Sequence, residues 1–144
     1  MAPFFPECEF AILGMQDASG LPNKPANVKV LPPLKNEGLI DVFSASEFYL
    51  QLSVAEGFPN AICEAMLCEC IPIGSNVFSI PEIIGDSGFV LKKRDVKELK
   101  LLIQKAIECD KAALMKNSRE RIAQNYSLLK RREKLLELCN ALLG

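Results

Sequence analysis

Between Phe48 and Met66 the chain changes its period, and this stretch restricts the fold more than any other. Phe48-Tyr49-Leu50-Gln51-Leu52-Ser53-Val54 is a mostly apolar run of strand length. It ends in a polar turn with Glu56, a flexible Gly57 and a rigid Pro59, and Asn60 stands where a helix cap is expected. A helix is predicted to follow at once, with Glu64 in its first turn and an end near Glu69. A strand that feeds straight into a helix is half of a βαβ unit, and the remaining chain repeats the alternation.

Before this unit, Phe10–Met15 is a continuous apolar run, as expected of a strand buried on both faces of a parallel sheet. Val28–Leu31 is a second strand, stopped by Pro32-Pro33. Asn36 is placed to cap a helix through Ala45 with Leu39, Ile40 and Phe43 on one face. After the unit come a short strand at Ile71–Ser75, a one-turn helix at Ile80–Gly85 and a strand at Gly88–Leu91. Pro72 withholds a ladder donor, which makes its strand edge-like or short. Asp95 caps a helix through Cys109, and helices at Lys111–Gln124 and Leu128–Leu143 complete the chain. The reading is an α/β, Rossmann-like layered domain with a mainly parallel sheet of five strands and a helical C-terminus. Residues 1–9, rich in proline, read as an irregular lead-in.

Composition narrows the partners and the chemistry. With 17 basic and 18 acidic residues in 144, no basic face calls for nucleic acid. No apolar run approaches the ~20 residues of a membrane span, and the N-terminus does not read as a signal peptide. The six cysteines form no disulfide-type framework and are read as reduced thiols of a cytoplasmic protein. Cys63, Cys68 and Cys70 invite a metal reading, but there is no histidine and no Cys-x-x-Cys pair, so small buried hydrophobes are the better reading. The absence of histidine also excludes Ser-His-Asp and Cys-His catalysis within this chain.

Glu56 and Glu64 then hold the interest. Helix starts offer unpaired N–H donors to phosphate, and carboxylates accept from hydroxyls. A ligand with both phosphates and vicinal hydroxyls, such as a nucleotide sugar, matches the mixture. The plainer reading, ahead on composition alone, leaves Glu56 facing solvent and Glu64 complementing its own helix dipole.

The stretch Ser53–Met66 resembles the Ser-x-x-Glu-Gly-Phe-Pro-Asn-x-x-x-Glu-Ala-Met signature of the retaining glycosyltransferases of GT-B architecture, family 4, or glycosyl transferases group 1. Glu56 and Glu64 reproduce its Glu-x7-Glu spacing. Ile71–Asn76, Ile80–Ile84 and Gly88–Leu91 resemble the segments that follow it, and the resemblance spans residues 9 to 126. It implies that residues 1–144 are a partial C-terminal, donor-binding domain of a hexosyltransferase-like enzyme. The substrate would be a nucleotide sugar such as a UDP- or GDP-sugar, and the acceptor a glycan or a lipid-linked molecule. No metal or cofactor is implied. Glu56 would hold the transferred sugar as the catalytic residue. The backbone at Gly57, Phe58 and Pro59 would touch sugar and diphosphate, the helix start at Asn60 would face the diphosphate, and Glu64 would hold the ribose.

Departures from the pattern qualify this. The acceptor domain and the strand with the diphosphate-gripping Gly-Arg and Lys have no counterpart before Phe10, so the chain is expected to be inactive alone. Losing a central first strand predicts that Phe10–Met15 and Phe48–Val54 either close on each other or leave a slot for another chain, as a homodimer or with the missing half. Phe78-Ser79 replaces a Gly-Gly and would narrow the sugar pocket. Cys68-Glu69-Cys70 puts a side chain at a helix-ending glycine position. Lys130, Arg131, Arg132 and Lys134 flank a leucine stripe; a packed helix with a solvated face is favoured there over peripheral contact with an anionic membrane. The alternative to the enzyme reading is a non-catalytic nucleotide-binding or protein interaction module; a nucleotide-sugar epimerase is a third. Tyr49 and Tyr126 are too isolated to carry a role.

Overall fold

The computed structural model of the chain describes residues 1–143, the Leu143 side chain excepted. Its strands are β1 (Phe10–Leu13), β2 (Val28–Leu31), β3 (Phe48–Gln51), β4 (Ile71–Ser75) and β5 (Phe89–Leu91). Its helices are α1 (Asn36–Ser44), α2 (Asn60–Leu67), α3 (Ile80–Ile84), α4 (Val96–Glu108), α5 (Lys111–Asn125) and α6 (Leu128–Leu143). Every strand pairing is parallel, and the order of elements is the one the sequence predicts. The strands nevertheless form two sheets: β1 pairs only with β2, and β3-β4-β5 form the other. Of the two outcomes expected for β1 and β3, direct pairing is not the one adopted.

Helices cover both faces of the three-stranded sheet. On one side Ile62 and Met66 of α2, Ile80, Ile83 and Ile84 of α3 and Ile122 of α5 form a core, all but Ile122 with no exposed surface. Burying each such side chain contributes about 1.5–3 kcal/mol. On the other side Leu99, Ile103 and Ala106 of α4 pack over Ile73 and Leu91. Phe5 enters this second core from the N-terminal segment, which is therefore more than a lead-in. The Asn27 side-chain amide fastens that segment by donating to the carbonyls of Ala2, Phe5 and Cys8 at 2.9–3.0 Å.

Several local expectations need correction. Pro72 lies in the central strand, not an edge strand, and all five residues of β4 are buried. The reason is register. Ile71 N–H turns toward β3, where it donates to Glu47 O, so the position of the missing Pro72 N–H faces β5, and β5 pairs only from Ile73 onward. No ladder bond is lost. Asn36 and Asn60 do not cap their helices. Each is the first helical residue, after Lys35 and Pro59, and neither helix has a side-chain cap. Asp95 does cap, accepting from the N–H groups of Lys97 and Glu98 at 2.8 and 2.9 Å.

The helix-ending position occupied by Glu69 behaves as the sequence implies. Glu69 adopts φ = 70°, in the left-handed region, and Cys70 N–H reaches back to Ala65 O while Glu69 N–H reaches Met66 O. The expectation of a packed final helix fails. Leu128, Leu129, Leu135, Leu136, Leu138 and Leu142 are all more than half exposed. No helix among the described residues is long and apolar enough to cross a membrane.

Candidate functional site

The site begins at the carboxyl end of β3. Tyr49 and Gln51 alternate to one side of the strand, and Ser53 continues that alternation just beyond it. Their side chains form a relay: Tyr49 OH donates to Gln51 Oε1 at 2.7 Å, and Gln51 Nε2 donates to Ser53 Oγ at 2.8 Å and to Glu56 Oε1 at 3.1 Å. Ser53 Oγ donates to the same Glu56 Oε1 at 2.8 Å. Glu56 is thus held through one oxygen, and Oε2 accepts from no group among the described residues. Glu56 is half-buried and does not simply face solvent.

The turn is fastened from below by the next strand and helix. Ser75 at the end of β4 donates to Ser53 O at 2.7 Å, and Ser79 before α3 donates to Gly57 O at 2.9 Å. Phe78 beside it takes φ = 46°, a conformation that a glycine adopts without strain, and its ring is 74% exposed. The bulk expected to narrow a pocket therefore stands mostly in solvent. Phe58 is also exposed and packs tilted on Tyr126, with ring centroids 5.8 Å apart.

α2 starts at Asn60 with its first N–H groups uncapped by any side chain, and Pro59 before it is buried. Glu64 lies past the first turn, so the helix-dipole reading of its carboxylate loses its basis. Glu64 is exposed, and among the described residues it has neither an ion pair nor a hydrogen-bond partner. Glu56 and Glu64 both bear on Tyr49. Burial, then the negative charge of Glu56 and of Glu64, pushes the phenol up to about 12.

Other candidates recede. Cys70 has no exposed surface and its thiol points at Phe43 O, 3.1 Å away; burial pushes it up to about 12. Burial likewise pushes Cys63 to about 11. Both are protonated at neutral pH and are poor ligands or nucleophiles. Lys29 of β2 is paired with Glu9 at 2.7 Å. A groove of about 770 Å³ runs between α6 and the starts of α2 and α3, with Phe58, Asn60 and Glu82 on one wall and Arg131, Lys134 and Leu138 on the other. It adjoins the turn but includes neither Glu56 nor Glu64.

The residues that sequence reasoning missed are Tyr49, Gln51 and Ser53, which position Glu56, and Ser79, which holds the turn. The signal for the first three was present: polar atoms at every second residue lie on one side of a strand and its extension.

A parallel α/β fold with an acidic turn at a strand's carboxyl end, just before a helix, defines a class of domains that bind ligands at that edge. The match to known families makes the assignment specific. The model of the family described as glycosyl transferases group 1 matches residues 8–127, and the chain belongs to that family. It is 32% identical over 83 residues to the O-antigen chain mannosyltransferase B of Escherichia coli, which covers 58% of this chain and 22% of that protein. It is 36% identical over 104 residues to a trehalose synthase of Pyrococcus furiosus, covering 67% of this chain and 24% of that protein. The chain thus spans about a quarter of the length of these relatives. Among solved structures, a glycosyltransferase from Rickettsia africae superposes with a TM-score of 0.74 over 95% of this chain and 40% of that one, at 19% identity. The sucrose-phosphate synthase of Thermosynechococcus elongatus superposes with a TM-score of 0.67 over 81% and 30%, at 24% identity. The α/β architecture is that of a GT-B glycosyltransferase domain.

Proposed function

We propose that residues 1–144 form the donor-binding part of a retaining glycosyltransferase that moves a sugar from a nucleotide sugar to a glycan or lipid-linked acceptor. The observation that carries this reading is Glu56 at the carboxyl end of β3, held through Oε1 by Gln51 and Ser53 with Oε2 left open, just before the uncapped start of α2. Glu56, oriented by Gln51 and Ser53, offers Oε2 to a sugar hydroxyl beside the reacting carbon. Glu64 is placed to accept from the ribose diol. The backbone at Gly57, Phe58 and Pro59 faces the sugar, and the uncapped start of α2 at Asn60 offers N–H donors and a positive dipole end to the diphosphate. In this reading the leaving charge is offset by helix N–H groups and basic side chains, and no metal is needed. The acceptor side of the cleft comes from outside this chain, so the chain alone binds donor but does not turn it over. Its cysteines stay reduced in a cytoplasmic setting.

A titration tests this. UDP, GDP, ADP and their sugars are added to the chain and to Glu64→Ala, followed by calorimetry or NMR shifts. One nucleotide family is expected to bind, and Glu64→Ala to weaken it about tenfold or more, as loss of a charge-assisted bond to ribose implies. No binding at millimolar ligand would sink the donor reading and leave the second one, a non-catalytic interaction module, which the uncovered leucines of α6 favour.

A further inference from the structure

We infer that the groove between α6 and the starts of α2 and α3 is a binding site for one amphiphilic anion, a phosphate monoester with a hydrocarbon tail. This goes beyond the donor reading and does not rest on it, since neither Glu56 nor Glu64 lines the groove.

Helical spacing builds the α6 wall. Leu128, Arg131, Leu135 and Leu138 follow one another at steps of three and four, with Lys134 beside Leu135, so one face of the helix carries leucines and cations in turn. All of them line the groove. The three leucines are each more than half exposed. The cations are not neutralised within the helix. Glu133 takes Lys130 at 3.0 Å, and Arg131 and Lys134 have neither an ion pair nor a side-chain hydrogen bond among the described residues.

The opposite wall adds apolar surface and few free polar groups. Phe58 is half exposed there. The Ser79 hydroxyl is spent on Gly57 O at 2.9 Å, and the Asn125 amide donates to Arg121 O at 2.9 Å. Glu82 lines this wall too and pairs with neither Arg131 nor Lys134. Among the described residues no hydrogen bond or ion pair joins α6 to α2 or α3, so nothing polar bridges the walls. The space of about 770 Å³ that remains lies within the range of about 300–1,000 Å³ usual for small-ligand sites.

What fits must be apolar and anionic at once. Arg131 and Lys134 suit phosphate oxygens through charge-assisted hydrogen bonds, and a hydrocarbon tail covers Leu135, Leu138 and Phe58. The carboxylate of Glu82 on the far wall keeps the anionic head on the α6 side. A bare phosphate would leave the leucines wet. An uncharged glycan needs an array of free donors and acceptors, and the spent Ser79 and Asn125 do not supply one. A second copy of α6 would bring Lys130, Arg131, Arg132 and Lys134 against the same four cations.

Calorimetry of octyl phosphate on the whole chain, below the micelle concentration, tests the site. No nucleotide is present, so the outcome is independent of the donor titration. Octyl phosphate should bind, and its affinity should fall about two- to fourfold for each methylene removed through hexyl and butyl phosphate. Octyl glucoside, with the same tail and no charge, should bind about tenfold more weakly or worse. Arg131→Gln combined with Lys134→Gln should lower the affinity for octyl phosphate about tenfold and keep the melting temperature, because both side chains are exposed and unpaired. Leu138→Ser should flatten the chain-length series. Inorganic phosphate that binds as tightly as octyl phosphate would assign the groove to a free anion. Octyl glucoside that binds equally well would reduce it to apolar contact. Binding only to phosphatidylglycerol vesicles would assign α6 to a membrane surface, and a doubled mass without ligand would assign it to a second copy. Unchanged affinity in the double variant, or no binding at millimolar octyl phosphate, would mean that the groove holds no such ligand. Each of these results overturns the proposal.

Discussion

Ser53→Ala separates the role of Glu56 from that of Glu64. The Ser53 hydroxyl donates to Glu56 Oε1 at 2.8 Å and accepts from Gln51 Nε2 at 2.8 Å, so its removal takes one of the two donors that fix the carboxylate. A hydrogen bond to a charged group contributes about 1.5–3 kcal/mol when sheltered. Glu56 is half-buried, water replaces part of the loss, and Gln51 still donates at 3.1 Å, which leaves an effect of about 1 kcal/mol. That corresponds to about fivefold weaker binding of whatever Glu56 holds. If Glu56 holds the transferred sugar, calorimetry should show the fivefold loss for a nucleotide sugar and no change for the matching nucleoside diphosphate. The bond from the Ser75 hydroxyl to Ser53 O survives the substitution, so the turn should keep its place. Ser53→Thr retains the hydroxyl and should bind like the parent. Equal losses for both ligands would show that the turn itself had loosened. An unchanged nucleotide sugar would show that Ser53 does not orient a sugar-binding group.

Three further expectations concern the frame around the site. A Cβ on Gly74 would come within 2.5 Å of Ile80 Cγ2 and 2.7 Å of Ile84 Cδ1, both fully buried, so Gly74→Ala should destabilise by about 2–3 kcal/mol and lower the melting temperature by about 5–10 °C. A melting temperature within a degree of the parent would mean that α3 shifts freely. Asn27→Ala removes the donors to Ala2, Phe5 and Cys8 carbonyls and should lower stability by about 1–3 kcal/mol in denaturant, with early proteolysis ahead of Phe10; a nick elsewhere would argue against the clamp. Alkali should unfold the protein. The folded state holds Cys70 and Tyr49 as neutral acids up to about 12, above the values near 9 and 10 of an unfolded chain, so their contribution is complete below pH 9 and is lost as pH rises through 9 to 12. Denaturant midpoints should be level from pH 7 to 8.5 and fall beyond; a rise above pH 9 would contradict the burial of these groups.

The order of elements was legible because each segment speaks for itself. Ile71–Ser75 and Phe89–Leu91 are apolar runs between turn residues, and Asp95 announces its helix. What was not legible was anything fixed by register or by distant residues. Pro72 looked like an edge signal because the sequence does not show which side of β4 its missing N–H faces. The role of Phe5 depends on Asn27, and on a core supplied by α4, far along the chain. Asn60 looked like a cap because cap residues and first-turn residues share a composition, and a buried Pro59 took the position instead. Glu56 and Glu64 were visible as a spacing, but the relay from Tyr49 through Gln51 to Glu56 was not, because a lone tyrosine has no pattern of its own.

The site and the two-stranded sheet are built from different contacts, and this makes them separable. Glu56 is positioned by Gln51 and Ser53, no more than five residues away, and the turn is fastened by Ser75 and Ser79 from the three-stranded side. Nothing from β1 or β2 takes part. A substitution that loosens the two-stranded sheet, such as Val28→Ala at a buried position, should therefore lower stability and leave the ligand preference of the turn unchanged. A change in which nucleotide is preferred would show that the two sheets share contacts at the turn.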